Sequence, residues 1–134
     1  MKINESITFK PIEGTIARAE GFIEDCMEKA EVPLKYATKV NICMDEIYSN
    51  VVNYSGALEA IVTIMYDDET VTLICVDDGM EYNPLEREDP DTTLSVDDRE
   101  IGGLGILITK KLMDNITYAR ENGRNILTMS IKVS

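Results

Sequence analysis

The sequence of 134 residues (15.0 kDa) is long enough for one folded domain with a single core and short for two. Its 25 acidic and 13 basic residues give a net charge of −12, which argues against binding nucleic acid or an anionic membrane through bulk charge. Histidine is absent, which excludes serine–histidine and cysteine–histidine catalysis and histidine zinc sites. Three widely spaced cysteines, no signal-peptide pattern and no apolar run near about 20 residues predict a cytoplasmic protein.

The first part of the chain predicts a strand followed by two helices. Polar and apolar residues alternate over Ile3–Phe9, which indicates a short strand. Apolar steps of three and four predict one helix over Glu13–Ala30 and a second over Leu34–Tyr54. Pro33 lies near the start of the second helix, where proline is tolerated.

Four β-patterned runs follow in two adjacent pairs, which predict two hairpins: Leu58–Tyr66 with Thr70–Val76, and Asn115–Arg120 with Asn125–Val133. Between the pairs lies an acidic, aperiodic stretch, Asp77–Glu100, and a connection of that length is usually functional or mobile. A short apolar helix ending near Met113 comes after it. The element order predicts an α+β domain, a two-layer sandwich whose mixed, mostly antiparallel sheet is covered on one face by three helices.

A row of polar residues on the second helix is the first candidate site. Glu46, Asn50 and Asn53 stand at i, i+4 and i+7 and therefore share one side of the helix, away from its apolar stripe. A solvated polar face is one interpretation. A binding role is the other, because asparagine is a mediocre helix former and offers little at an exposed position. A carboxylate beside an amide carbonyl suits a hard cation and an activated hydroxyl.

An acidic turn after the strand Thr70–Val76 is the second candidate. Asp77-Asp78-Gly79 can be an ordinary turn, since Asp-Gly pairs are common there. It is also typical of a ligand site at a strand end. The glycine lets a flat ligand approach the backbone, and the carboxylate can accept a hydrogen bond from an exocyclic amine.

A glycine-rich segment before the third helix is the third candidate: Ile101-Gly102-Gly103-Leu104-Gly105-Ile106. A flexible helix entry is one interpretation, and a phosphate site is the other, because a helix N-terminus offers free N–H groups and the positive end of the helix dipole. The spacing is not that of a Walker loop, and no strand immediately precedes the glycines as in a Rossmann fingerprint.

In this order, the three clusters resemble the ATP-binding boxes of the GHKL superfamily, which includes DNA gyrase and the sensor histidine kinases. Within it, the chain is similar over nearly its whole length to the small anti-sigma-factor serine/threonine kinases of bacterial partner-switching systems. The resemblance implies one histidine kinase-like ATPase domain over residues 1–134, with the Bergerat fold. It also implies ATP and Mg as ligands and a homodimer as the assembly.

The resemblance assigns roles to the residues that match the family's first two boxes. Glu46 would be the general base that takes a proton from the attacking hydroxyl. Asn50 would bind the Mg ion that bridges the ATP phosphates. Asp77 and Gly79 form the first glycine box, in which Asp77 would accept a hydrogen bond from the adenine amino group.

The remaining ligand contacts are implied in the same way. The backbone amides of the second glycine box would meet the phosphates, and this box is Gly102, Gly103, Leu104 and Gly105. Thr128 falls where the family has a hydroxyl residue near the adenine. The acidic stretch between the boxes matches the family's ATP lid, in which Arg87 and Arg99 are the only cations.

Three functions follow from this resemblance. The first is a kinase that phosphorylates a STAS-domain partner of the anti-anti-sigma type, with a sigma factor as a further candidate partner. The second is a non-catalytic switch that binds ATP or ADP and holds a protein accordingly. The third, a catalytic module of the histidine-kinase type, ranks last because the chain has no histidine to accept phosphate. Glu46 favours the first, because a binding switch has no use for a base beside the metal ligand.

Overall fold

The computed structural model describes residues 2–12, 14–86 and 103–133. Eight regular elements lie in these ranges: β1 Ile3–Phe9, α1 Thr15–Lys29, α2 Leu34–Asn50, β2 Ala60–Tyr66, β3 Thr70–Asp77, α3 Gly103–Leu112, β4 Asn115–Glu121 and β5 Arg124–Lys132. A π-helical turn, Val51–Ser55, continues α2, and a short 3₁₀ turn, Pro84–Glu86, follows β3. Each predicted strand and helix is present within a few residues of its expected bounds.

The five strands form one sheet in the order β1-β2-β3-β5-β4. All four pairings are antiparallel, so the sheet takes the antiparallel form of the predicted mixed or antiparallel arrangement. Because β5 pairs with β3 as well as with β4, the end of β3 meets the start of β5. Asp77 is thereby the cross-strand partner of Asn125.

The core lies between one face of the sheet and the helices, which confirms the predicted α+β sandwich. Alternate residues of the three central strands are buried on this face: Ala60, Val62, Ile64, Val71, Leu73, Cys75, Leu127, Met129 and Ile131. Helices α1 and α2 contribute stripes at helical spacing: Ala19, Ile23 and Met27, then Val40, Met44 and Ile47. Within the described ranges, no helix combines the length and the apolar character that crossing a bilayer requires.

Left-handed backbone closes several of the tight connections, two of which follow known motifs. The β4–β5 turn has Asn122 at φ 52° and Gly123 at φ 76°, the type I′ geometry that Asn-Gly favours in two-residue hairpins. Helix α1 ends in a Schellman motif, in which the Val32 amide donates to the Met27 carbonyl oxygen at 3.0 Å. Its left-handed residue is Glu31, at φ 62°, where glycine is the usual choice.

Candidate functional site

A cavity of about 580 Å³ opens between the C-terminal end of α2 and the adjoining ends of β3 and β5. This volume lies within the usual range of small-molecule sites. Its walls are mainly apolar and carry a few polar groups: Ile47, Asn50, Val51, Tyr54, Ser55, Cys75, Asp77, Met80, Glu81, Tyr82, Pro84, Ile106, Tyr118, Asn125 and Leu127. The arrangement suits a flat, partly apolar ligand held by a small number of directed hydrogen bonds.

The end of α2 brings part of the predicted polar row to this cavity. Asn50 lines it, whereas Glu46 is half-buried one turn earlier on α2 and is not among the lining residues. Asn53 is exposed and also lies outside the lining, which corrects the expectation that it shares the side of Asn50. The cause is the π-helical turn Val51–Ser55, since a wider turn places Tyr54 and Ser55 where an α-helix would place Asn53.

The two adjacent carboxylates at the end of β3, Asp77 and Asp78, have different surroundings. Asp77 is 8% exposed and lines the cavity, and its Oδ1 accepts from the Gly79 N–H at 2.9 Å. Asp78 is exposed and accepts from the backbone N–H groups of Leu58 (2.7 Å) and Glu59 (3.0 Å). These hydrogen bonds, led by that from Glu59, lower the pKa of Asp78. Asp77 is therefore the carboxylate available to a ligand, and Asp78 anchors the loop before β2.

Gly79 is required by close packing. A Cβ built on Gly79 would lie 2.6 Å from the Ser55 Cβ and 2.7 Å from both the Ser55 carbonyl oxygen and Oγ. The Met80 N–H donates to the same Ser55 carbonyl oxygen at 2.9 Å. Arg120 Nη1 donates to the Gly79 carbonyl oxygen at 2.8 Å. The Asp77–Gly79 turn is thus fastened both to the π-helical turn and to strand β4.

Asn125 and Tyr118 are site residues that the sequence analysis missed. Asn125 is 6% exposed and lines the cavity, and its Nδ2 donates to Asp77 Oδ1 at 3.1 Å. The Tyr118 hydroxyl donates to Asn125 Oδ1 at 2.5 Å. A signal was present in the sequence: Asn125 is in phase with Leu127 and Met129, so it is a polar residue on the inward, apolar face of its strand.

Thr128 is not brought to the cavity. Side chains alternate along β5, and those on the helix side, including Leu127 and Met129, are buried. Thr128 falls between them, so it lies on the opposite face, where its cross-strand neighbours are Ile74 and Thr117. The expectation that Thr128 lies near a bound base is therefore wrong, and Asn125 is the β5 residue beside Asp77.

The structure describes the glycine-rich segment from Gly103 onward. Gly103, Leu104 and Gly105 form the first turn of α3, and Ile106, directly after them, lines the cavity. The first turn of α3 therefore lies next to the cavity. Gly102 and residues 87–100 of the predicted lid, with Arg87 and Arg99 among them, lie outside the described residues.

Comparison with known proteins relates the chain to one family and to one of its named kinases. A family model for the histidine kinase-like ATPase domain matches residues 11–131. The serine/threonine-protein kinase BtrW of Bordetella bronchiseptica is 30% identical over 95 residues, which cover 68% of this chain and 67% of that protein. The family match covers the elements from α1 to β5, except the last residue of β5, and every described residue that lines the cavity.

Proposed function

The chain belongs to the histidine kinase-like ATPase family, and we propose that it is an ATP-dependent protein serine/threonine kinase. It would transfer the γ-phosphate of ATP to a serine or threonine of a STAS-domain protein of the anti-anti-sigma type in the cytoplasm. The Bordetella relative is named as a serine/threonine-protein kinase, which supports this activity. The observation that carries the proposal is a single cavity that joins Asn50 at the end of α2 with Asp77 at the end of β3.

Asp77 would recognise the base. It is a buried carboxylate at the wall of a largely apolar cavity, and such an acceptor suits the exocyclic amine of adenine. Guanine has a carbonyl oxygen at the corresponding position, which a carboxylate repels. Gly79 allows the turn that bears Asp77 to pack closely on Ser55, so that the acceptor is held at a fixed place.

Asn50 and Glu46 would serve the phosphate end. Magnesium is commonly held by one or two protein oxygen ligands together with phosphate oxygens, and the Asn50 carbonyl oxygen at the cavity wall fits that pattern. When bound, the ion neutralises charge on the transferring phosphoryl group. Glu46 lies one turn away on the same helix and would take the proton of the attacking hydroxyl. The backbone amides of the segment Gly102–Gly105 would contact the phosphates.

A nucleotide-dependent binding switch is the second candidate. The position of Glu46 favours it, because this residue does not line the cavity that Asn50 and Asp77 share. A switch would use ATP and ADP to change its hold on a protein partner, such as a STAS-domain protein or a sigma factor. It would need Asn50 and Asp77 but not Glu46, so the two candidates differ in what they require of that one residue.

We further propose that the protein is a homodimer that associates through the open face of its sheet. Three central side chains of each strand face away from the helices and none is charged: Asn4, Ser6, Thr8, Ile61, Thr63, Met65, Thr72, Ile74, Val76, Ala119, Thr117, Asn115, Ile126, Thr128 and Ser130. Glu121, Arg124 and Lys132 lie on this face only at the strand ends, so in a chain of net charge −12 a second copy can approach its uncharged centre with little repulsion. Its area, roughly 500 Å² per protomer from strand spacing, supports a concentration-dependent dimer.

The experiment for the kinase proposal is transfer of label from ATP to a STAS-domain partner. Glu46→Gln keeps shape and removes the base, so transfer should fall by about 10²- to 10⁴-fold while ATP affinity is retained. Asn50→Ala should reduce Mg-dependent nucleotide binding and transfer together. Transfer by Glu46→Gln at the parent rate would exclude Glu46 as the base. Nucleotide binding without transfer to any STAS-domain partner would favour the switch.

A further inference from the structure

The side-chain amide of Asn125 uses every hydrogen bond that an asparagine can form. Nδ2 donates to Asp77 Oδ1 at 3.1 Å and to the Met80 carbonyl oxygen at 2.8 Å. Oδ1 accepts from the Tyr82 N–H at 3.2 Å and from the Tyr118 hydroxyl at 2.5 Å. An amide has two donor hydrogens and two acceptor lone pairs, so none is left for a ligand, although Asn125 lines the cavity.

These partners also determine how the amide is oriented. The Tyr82 backbone N–H can only donate, so it must face Oδ1. A rotated amide would set Oδ1 against the Asp77 carboxylate and the Met80 carbonyl, acceptor against acceptor. With Oδ1 fixed as the acceptor, the Tyr118 hydroxyl has to donate its proton to it. Tyr118, on the edge strand β4, thereby supports the one orientation in which Asn125 can donate to Asp77.

The hydrogen bond from Asn125 helps to fix the orientation of the Asp77 carboxylate. Its Oδ1 accepts from Asn125 Nδ2 and from the Gly79 N–H, which fixes the plane of the group. Its Oδ2 accepts no hydrogen bond from the described residues. Because Asp77 lines the cavity, Oδ2 is the acceptor that remains for a ligand.

We propose that Asn125, oriented by Tyr118, is a positioning residue that fixes Asp77 as the acceptor for the amino group of adenine. Asn125 forms no hydrogen bond to the base itself. It also sets the course of residues 80–82, which line the same cavity, through its bonds to Met80 and Tyr82. The inference deepens the proposed function and rests on it: the preference for ATP over GTP depends on two residues that do not hydrogen-bond to the nucleotide.

The first test measures the affinities of ATP and GTP by calorimetry at pH 6 and pH 8. Asn125→Asp is nearly isosteric, but as a carboxylate it cannot donate and it repels Asp77. ATP should bind at least about tenfold more weakly than to the parent at pH 8. The loss should be smaller at pH 6, because two adjacent carboxylates share a proton more readily there. The ratio of variant to parent at each pH cancels the titration of the nucleotide phosphates.

Tyr118→Phe keeps the ring in the cavity wall and removes only the hydroxyl. It should reduce the preference for ATP over GTP by about three- to tenfold, the worth of one hydrogen bond. Tyr66→Phe is the matched control, because it removes the same hydroxyl from a tyrosine that does not line the cavity and that pairs with Val71, at the other end of β3 from Asp77. It should leave the preference unchanged. A Tyr118→Phe protein with the parent's preference would overturn the role of Tyr118.

The second test needs no nucleotide. In the parent, the side-chain amide hydrogens of Asn125 should exchange with solvent at least about tenfold more slowly than those of the exposed Asn122 in the β4–β5 turn, and Tyr118→Phe should speed this exchange. Equal exchange at the two asparagines would overturn the inference. So would nucleotide binding by Asn125→Asp that matches the parent at both pH values. Protected Asn125 hydrogens in a parent that binds no nucleotide would overturn the proposed function, and the specificity role with it.

Discussion

Replacing Gly79 by alanine tests whether the close approach of two turns shapes the cavity. The φ angle of Gly79 is outside the left-handed region, so alanine meets no backbone obstacle there. The obstacle is contact, because the new Cβ would lie 2.6 Å from the Ser55 Cβ and 2.7 Å from its carbonyl oxygen. Ordinary carbon contacts need about 3.5–4 Å, so the Asp77–Gly79 turn and the π-helical turn must separate by about 1 Å.

The expected cost follows from what this separation strains. Overpacking at a rigid contact costs about 1–3 kcal/mol. The Met80 N–H bond to Ser55, now 2.9 Å, would be stretched or lost, at about 0.5–1.5 kcal/mol more. Gly79→Ala should therefore lower the free energy of unfolding by about 2–4 kcal/mol. It should also weaken ATP binding, since Ser55, Asp77 and Met80 all line the cavity.

Urea denaturation and calorimetry measure the two effects. Gly21→Ala is the matched control: Gly21 lies inside α1 and a Cβ there would meet nothing within 4 Å. That variant should gain about 0.5–1 kcal/mol from helix propensity and keep the parent's ATP affinity. If Gly79→Ala is as stable as Gly21→Ala and binds ATP as the parent does, the close packing of the two turns does not shape the site.

Three further predictions concern the scaffold. Burial, together with the neighbouring Asp45, raises the pKa of Glu20 from 4.5 to about 7. The contribution of Glu20 to the free energy of unfolding should therefore be complete below pH 4.5 and should be lost as the pH rises through 7. Glu20→Gln should flatten that fall and raise the free energy of unfolding at pH 8, measured by urea denaturation, by about 1 kcal/mol once solvent screening is allowed for. Glu31→Gly should add about 0.5–1 kcal/mol to the free energy of unfolding, because glycine adopts the left-handed backbone of this position without strain. The thermal midpoint should rise, and a lower midpoint would refute the strain argument. Burial raises the pKa of all three thiols, to about 11 for Cys43 and about 12 for Cys75, so a thiol reagent should modify the half-buried Cys26 first in the native protein.

The elements were predictable because their apolar periods are strong. The alternation over Ile3–Phe9 predicts β1 with its observed bounds, and the Asn-Gly pair predicts the β4–β5 hairpin turn. The end of α2 was not predictable in the same way. Apolar spacing does not distinguish an α-helical from a π-helical turn over five residues, so Asn53 was assigned to the side of Asn50.

The residues of the candidate site were predictable where they belong to one local sequence motif. Asp77 and Gly79 belong to one turn, and Asn50 lies on one helix, so spacing alone singled them out. Asn125 was missed because its partner, Asp77, lies 48 residues away on a strand that is not its neighbour in sequence. The alternation in β5 was enough to show that Thr128 faces away from the core, since it is out of phase with Leu127.

A calorimetric titration with nucleotides would show whether the cavity beside Asp77 is an ATP site. In the presence of Mg, the parent should bind ATP and ADP clearly more tightly than GTP. Asp77→Asn, which keeps shape but loses the charged acceptor, should weaken ATP binding by about tenfold or more. Equal affinities of the parent for ATP and GTP, or an Asp77→Asn protein that binds ATP as the parent does, would contradict the account.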